Sequence, residues 1–525
     1  MNFRKKITAL ALASAGFCLA ASVAAAPFNF ATNAEVVSMD PYALNGSFTL
    51  SILGNIYEPL VGRGQKLELA PALATSWSNP APTVWRFNLR KNVVFHDGSP
   101  FTADDVLFSV ARVRSEGSQL KSVLAKVKEV KKVDEYTVDF ITYTPTLTLP
   151  DSLTHWFIMS KVWSEKNGAT EAVDLKNKKE NAATLQANGT GPFMLKSRRP
   201  DVATEFTPNL KWWDKPLHNL TEVKLTPIEN SATRVAALIS GDVDMVAPVS
   251  LQDIARIKAD KELKYIESPS LTTVYLAMDQ LREALPLSSV AGKNPLKDKR
   301  VRQAIFRAID IDTIQKKIMR GSATPSNLVF APAVNGYPAD LNKRPPYDPA
   351  AAKRLLAEAG YADGFEMTLA CPSNHYINDD AICQAVSAML AKVKIKLNVI
   401  IESKTLWISR IMGGKYSMYI MGDYPDSQDA FQVLNVSYAT AGANGQGSFN
   451  YTVSNKQIDD LTAKIGVETN AGVRNGLIHQ AFKVANDEML YIPLHQQAVS
   501  WAMKKKVQMI QPADGSINLK WVVVK

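Results

Sequence analysis

Residues that carry catalytic or metal chemistry are scarce in this chain. Six histidines are spread over 525 residues, none of them four positions from another, so neighbouring helical turns cannot supply the paired histidines of a zinc site. There is no H-E-x-x-H, no G-x-S-x-G nucleophile elbow, no P-loop and no C-x-x-C. The signatures of zinc peptidases, α/β-hydrolases, P-loop nucleotide hydrolases and dithiol oxidoreductases are therefore missing. The glycines of GANGQG (Gly442 to Gly447) lack the dinucleotide-binding spacing and follow no clear strand. GTGPF (Gly189 to Phe193) is a defined turn, but Pro192-Phe193-Met194-Leu195 reads as extended chain where a phosphate cradle needs a helix to open. No cofactor and no metal are expected, and no catalytic residue is assigned.

Long apolar runs are absent too, except at the start. MNFRKKITALALASAGFCLAASVAAAP has a basic head (Arg4, Lys5, Lys6), an apolar stretch from about Ile7 and a small-residue end at Val23-Ala24-Ala25. This is the layout of a secretory signal peptide over residues 1–25, with cleavage after Ala25, because a cut after Ala26 would leave Pro27 at the new terminus. A membrane anchor is the competing reading, but the run is marginal in length, rich in alanine and followed by no basic stop-transfer cluster. A lipoprotein would need a small residue before Cys18, where Phe17 stands. The mature chain is expected in the periplasm. Loss of the leader's three positive charges takes the formal net charge from +10 to +7. That charge is dispersed, its densest run is Lys504-Lys505-Lys506, and no basic stripe with interleaved aromatics accompanies it, so nucleic acid is not an expected partner.

Of the three cysteines, only Cys371 and Cys383 survive processing. Cys371 should end the strand MTLAC and Cys383 should sit on the next helix. An oxidising compartment permits a disulfide between them, and twelve residues of separation leave two buried thiols as an equal alternative.

What is present is regular alternation. An apolar fraction of 46% is that of a globular chain, and the length favours about three domain-sized units. Strand signals (TEVKLTPI, YLAMD after the loop SPSLTT, KLNVIIE) alternate with helices, which gives the α/β class. In YDPAAAKRLLAEAGY, Asp348 can cap, Pro349 suits the first helical position and Gly360 can take the left-handed stop. NPLKDKRVRQAIFRAIDIDTIQKKIMRG puts Val301, Ala304, Ile305, Ala308 and Ile309 on one helical face and ends at Gly321. RVAALISGDVDMVAP reads as helix, Gly-Asp step and strand.

The stretch VWRFNLRKNVVFHDGSPFTADDVLFS (residues 84–109) holds the best local candidate for a metal site: His96-Asp97 and Asp104-Asp105. Its pattern favours a structural use of all four. Trp85, Phe87 and Leu89 alternate with polar residues as in a half-buried strand, Asp97-Gly98 marks a turn, and Thr102 with Asp105 makes a capping-box start for a helix whose apolar positions are Val106, Leu107, Val110 and Val113. Asp104 suits the helix dipole.

LAPALATSW (Leu69 to Trp77), the stretch above, GTGPF, LISGDVD, DKRVRQAIFRAID, YDPAAAKRLLAEAGY and GDYPDS (Gly422 to Ser427) follow one another over nearly all of the mature chain. Together they resemble the signature of the large extracytoplasmic solute-binding proteins of the peptide/nickel family, family 5. These are the receptors of ABC importers for oligopeptides, dipeptides and nickel complexes. The resemblance implies a two-lobed periplasmic binding protein, the large three-domain variant of type II, which closes by a hinge on a ligand held between its lobes. It implies a discontinuous lobe I (26–62, 186–270 and 481–525), an inserted domain at 63–185 and a lobe II at 271–480. The implied function is capture of a peptide or peptide-like solute by a monomer and its delivery to membrane permease subunits, with no covalent step.

For peptide binders the resemblance also implies a site. The motif aspartate that pairs with the ligand's α-ammonium matches Asp423, where a charge-assisted hydrogen bond offsets part of the desolvation. Two departures stand out. The tryptophan and short glycine-rich step usual before this aspartate are replaced by Tyr419-Ile420-Met421 running into Gly422. CPSNHYINDD also lacks the arginine that dipeptide binders present to the peptide carboxylate, so His375, Asn374 or Tyr376 is expected on that wall. Trp407, Tyr419, Tyr424 and Trp156 can stack on a ligand or belong to the core. The candidate ligand contacts are Asp423, Tyr424, Trp407, His375 and Tyr419. Related proteins reuse the fold for nickel chelates, haem, opines and sugars. From outside the class, a chaperone-like binder remains an alternative, whereas a hydrolase would need an activated nucleophile and base that no motif supplies.

Overall fold

The computed structural model describes residues 25–442 and 446–525. All but the last residue of the expected leader, and Ala443 to Gly445 of GANGQG, lie outside the described residues. The stretch around His96 folds as its pattern dictates. Val84–Leu89 is a strand with Trp85, Phe87 and Leu89 buried. Asp97 Oδ1 accepts the Ser99 N–H at 3.0 Å and its hydroxyl at 2.7 Å. Helix Ala103–Val113 opens on a capping box in which Asp105 Oδ2 accepts the Thr102 N–H at 2.9 Å. His96 is tied to the GTGPF turn: Nδ1 accepts the Gly189 N–H at 3.3 Å and Nε2 lies 3.1 Å from the Gly191 carbonyl. Burial holds its pKa down at about 4, so the ring is neutral and structural. The two glycines are required because a Cβ on either would strike the Ile56 carbonyl.

Four strands, Ala74–Ala81, Val84–Leu89, Thr137–Thr142 and Val127–Asp134 in spatial order, form a separate sheet. Phe140 of this sheet meets Trp156 edge-on at 5.9 Å between ring centres. Trp156 is fully buried in this core and does not line the cavity between the lobes.

Two strands set the architecture of the rest. Leu263–Met278 and Tyr491–Lys504 run antiparallel from Leu263 opposite Lys504 to Ala277 opposite Tyr491. At about 3.3 Å per residue the longer spans about 50 Å, more than one core can enclose. Its first residues pack in one core, where Leu263 and Ala502 meet Ala31 and Val246. Its last residues pack in another, where Val274 and Leu276 meet Ile492, Leu494 and Met418. The two strands therefore bridge two lobes of one eleven-stranded sheet, with a cleft between the lobes. SPSLTT, expected as a loop, is part of this strand. The register breaks there instead: Pro269 pairs with Ala498 and Thr273 with Gln496, and Gln496 Nε2 closes the bulge on the Ser270 carbonyl at 2.6 Å.

In the second lobe, Asp348 accepts the Ala351 N–H at 2.8 Å at the head of helix Pro349–Glu358, and Gly360 has φ +87°. The single helix expected to run to Gly321 is instead broken. Lys299–Ala308 stops at Ile309, and Asp310 caps a new turn by accepting the Thr313 N–H at 3.0 Å. A carboxylate that can serve the backbone competes with helix continuation there. Cys371 and Cys383 are joined in a disulfide that ties strand Phe365–Ser373 to helix Asp379–Ala391.

Candidate functional site

Three neighbouring strands of the second lobe are parallel: Ile395–Ser403, Phe365–Ser373 and Met418–Asp423. Their carboxyl ends point the same way, and ligands of open α/β sheets bind outside those ends. Here each end delivers side chains to one cavity of about 760 Å³ between the lobes. The first leads into Lys404 and Trp407, the second into His375 and Tyr376, and the third ends on Asp423 itself, followed by Tyr424 and Asp426. The facing wall comes from the first lobe, including Ser47, Ser51, Lys126, Asp151 and His155, and Thr272 and Gln497 of the bridging strands lie between.

Asp423 is the chemically exceptional group. Its Oδ1 accepts the Ser437 hydroxyl at 2.8 Å, while its buried Oδ2 has no hydrogen-bond partner among the described residues. Behind it lies a tyrosine cluster, Tyr275, Tyr438 and Tyr491, with ring centres 4.8 and 4.9 Å from Tyr491. Burial against these rings pushes the Asp423 carboxyl up to about 7, and the Ser437 hydrogen bond offsets only part of it. Ser437 is fixed in turn, because its carbonyl accepts the Tyr491 hydroxyl at 2.5 Å. It lies on π-type turns, Leu434–Tyr438, that continue helix Ala430–Val433, an irregularity frequent at functional sites. Asp426 is open to the solvent of the cleft but has protein on most sides, and burial raises it to about 6.

The other expected contacts divide. His375 lines the cavity, its ring 5.9 Å from Trp407, and burial with Lys404 nearby lowers its pKa to about 4. The backbone N–H groups of His375 and Tyr376 both donate to Asp379 Oδ2, at 2.9 and 3.0 Å, which docks this loop on the helix behind it. Tyr376 lies against Gly422 so closely that a Cβ there would come within 2.7 Å of the ring. Asn374 is exposed and outside the cavity. Trp407 is almost wholly buried yet reaches the cavity, and its indole N–H has no partner among the described residues. Tyr424 lines the cavity and donates to the Asp514 carbonyl at 3.3 Å, across to the first lobe's wall. Tyr419 does not reach the cavity: it is buried in the core cluster beside Tyr275 and Tyr491, behind Asp423.

The lobes also touch at the rim. Arg63 donates to Asp151 Oδ1 and to the Ser427 carbonyl, each at 3.1 Å. Leu67, on the turn between strands Val61–Arg63 and Leu69–Pro71, is buried in the second lobe's core cluster with Leu271 and Trp407. Lys126 lies 4.4 Å over the Phe431 ring.

The sequence matches the model of the bacterial extracellular solute-binding proteins, family 5 (middle region), over residues 68–445. The chain belongs to this family. Among relatives of this family 5 protein, the dipeptide-binding protein of Escherichia coli (strain K12) is 28% identical over 473 residues, 84% of this chain and 83% of that one. Heme-binding protein A of Haemophilus influenzae is 27% identical, over 81% and 79% of the two chains. Of solved structures, the periplasmic binding protein DppA of Helicobacter pylori with the peptide STSA superposes with a TM-score of 0.76 at 26% identity, covering 96% of this chain and 98% of that one. NikA of Brucella suis with Fe(III)-EDTA shares the fold, with a TM-score of 0.81 at 22% identity over 95% and 100% of the chains. The family is one of binding proteins, and no helix among the described residues is long and apolar enough to cross a membrane.

Three features of the site had no signal in the sequence of this family 5 protein. Ser437 reads as an ordinary polar residue fourteen positions beyond Asp423. Lys126 lies in a lysine-rich surface segment, and Lys404 looks like a helix start. Only the meeting of the lobes places them.

Proposed function

We propose that this protein is the periplasmic receptor of an ABC importer for a short peptide or peptide-like solute, held between the lobes with its α-ammonium group on Asp423. The observation that carries this is the buried Asp423 Oδ2, lining the cavity without a hydrogen-bond donor among the described residues. A carboxylate in that position is poorly solvated, and an ammonium that donates to it supplies both the missing hydrogen bond and the opposite charge. Asp426 beside it adds negative potential, which disfavours anionic chelates. The peptide named with the Helicobacter pylori structure and the dipeptide named for the Escherichia coli relative support the same ligand class.

Function then follows from the bridging strands. Each lobe has its own core, so the register break at Ser270 to Thr272 is where one lobe can rotate on the other. A ligand that contacts both walls favours the closed arrangement by its differential affinity for it. The closed shape is what the permease reads, and the receptor itself performs no catalysis. On this reading the chain is exported by its leader and works as a monomer. Native mass spectrometry of the protein purified from periplasm is expected to show one small peptide or amine-bearing solute per chain. A protein that retains no ligand and shows no thermal shift with di- to tetrapeptides would overturn the proposal.

A further inference from the structure

The cavity holds on one lobe an acid, Asp423, whose Oδ2 has no hydrogen-bond partner among the described residues, and the charge that would complement the other end of a peptide must come from elsewhere. The arginine expected after strand Phe365–Ser373 is absent. Arg63 is occupied by Asp151, and Arg474 is paired in bidentate fashion with Asp429 at 2.6 and 2.9 Å. The histidines on the cavity wall, His155 and His375, are shifted toward the neutral form by burial. Two ammonium groups remain on the cavity wall, Lys126 and Lys404, and neither has an ion pair among the described residues.

They are not equivalent. Lys404 sits on the same lobe as Asp423, at the start of helix Lys404–Met412, with no ion pair and no ring face under its ammonium group among the described residues. Lys126 comes from the opposite wall, immediately before strand Val127–Asp134 of the four-stranded sheet. Its backbone carbonyl accepts the Tyr143 N–H at 3.0 Å, which fixes the base of the side chain, and its ammonium group rests on the face of Phe431. Its side chain stays open to the cleft although protein surrounds it on most sides, and burial, with Arg474 nearby, lowers its pKa. Asp429, paired with Arg474, offsets only part of this, and a ligand anion would relieve the rest. Phe431 and Ser437 lie six positions apart on one run of helical turns, about 9 Å at 1.5 Å per residue. An extended chain of about three residues covers the same length.

Building on the proposed capture of the α-ammonium at Asp423, we infer that Lys126 binds the carboxylate of the ligand. The peptide, about three residues long, then spans from one lobe to the other as a zwitterion. A ligand bound at both ends then adds its own bridge to the contacts that already join the lobes at the rim. Phe431 is the positioning residue: it holds the ammonium of Lys126 at the far end of the helix that carries Ser437.

The test is calorimetric titration with Ala-Ala-Ala, Ala-Leu-Ala and Leu-Leu-Leu, each as free acid, C-terminal amide and N-acetyl form. In the wild-type protein, amidation is expected to weaken binding at least tenfold. Lys126→Met should weaken the free acid by a similar factor and leave the amide within about threefold, and Lys126→Arg should retain the penalty for amidation. Thermal unfolding of each variant checks that it folds. An amide penalty unchanged in Lys126→Met, or abolished by Lys404→Met instead, overturns the inference. N-acetylation reports on Asp423 separately: an acetylated peptide that binds normally refutes the capture at Asp423 while leaving a Lys126-dependent amide penalty intact. If none of the tripeptides binds, the inference about Lys126 falls, while the capture at Asp423 falls only if no di- to tetrapeptide shifts the thermal unfolding.

Discussion

Asp423 predicts how binding must vary with pH. In the unliganded protein its carboxyl titrates at about 7 because burial disfavours the charged form. A ligand ammonium requires that charge, so protonation competes with binding. With the ligand-bound carboxylate ionised throughout the range, the apparent Kd is multiplied by one plus the ratio of protonated to ionised Asp423. Between pH 8 and pH 5 this raises Kd about 100-fold, or about 2.7 kcal/mol at 1.36 kcal/mol per unit. Above about pH 8 the α-amino group of a peptide loses its own proton, so affinity falls again and the profile is a bell centred between 7 and 8. Asp423→Asn should lose most of the acid limb and bind at least 100-fold more weakly at pH 7.5. A small residual slope below pH 6 belongs to Asp426. Calorimetric titration from pH 5 to 9 measures both limbs. A flat acid limb in the wild-type protein, or an unchanged one in the asparagine variant, refutes the assignment.

The same shift makes a prediction about stability with the opposite sign. The folded protein holds the Asp423 proton more tightly than the unfolded chain, whose aspartates titrate near 3.9. The stabilisation from that proton is complete below about pH 4 and is lost as pH rises through 7. Above pH 7 the ionised carboxylate costs at most about 4 kcal/mol, from three units at 1.36 kcal/mol each, and water in the cleft reduces this. Asp423→Asn should therefore raise the Tm of the unliganded protein at pH 8, by a few degrees at most for a chain of this length, while it destroys affinity. An aspartate with a merely structural role would lower both. Differential scanning calorimetry of ligand-free protein separates the outcomes.

Two further predictions test the frame around the site. Replacing Cys371 and Cys383 together by alanine frees strand Phe365–Ser373 from helix Asp379–Ala391 and should cost about 3 kcal/mol, the loop-entropy value for a loop of this size; an unchanged Tm by calorimetry contradicts it. Leu67→Ala removes two methyls and a methine carbon from the contact that buries the first lobe's hairpin in the second lobe's core, worth about 2 kcal/mol. Kd should rise about tenfold or more and the unliganded protein should expand in small-angle scattering with little change in Tm; unaltered affinity would show that this contact does not report on closure.

Much of this molecule was legible because its signals are local. Thr102, Asp105 and Asp348 each act on a backbone group within three residues, and a capping rule can be applied without knowing the fold. The bridging strands were not legible for the converse reason. Ser268 to Thr273 looks like a loop until its partner, more than two hundred residues later, is paired with it, and no window of sequence contains both. The helix break at Ile309 was hidden because Asp310 fits a helical surface as well as it fits a cap, and the structure alone shows which backbone groups it serves.

Tyr419 shows where pattern reasoning fails at the site itself. Successive side chains of a strand alternate, so Tyr419, Met421 and Asp423 project from the same face of Met418–Asp423. Periodicity alone makes all three equal candidates. They differ in depth along the strand: Tyr419 is enclosed by the tyrosine cluster, Met421 touches the cavity, and Asp423, at the carboxyl end, enters it. The motif resemblance named Asp423, which enters the cavity, and could not reject Tyr419, because the rejection depends on how far the sheet extends before the cleft begins. The enclosed residue still bears on the proposed capture at Asp423. By lining the apolar ground behind Asp423, Tyr419 and its neighbours deny that carboxylate the solvation that would let it dispense with a ligand, and removing their bulk should lower the pKa of Asp423 and flatten the acid limb described above.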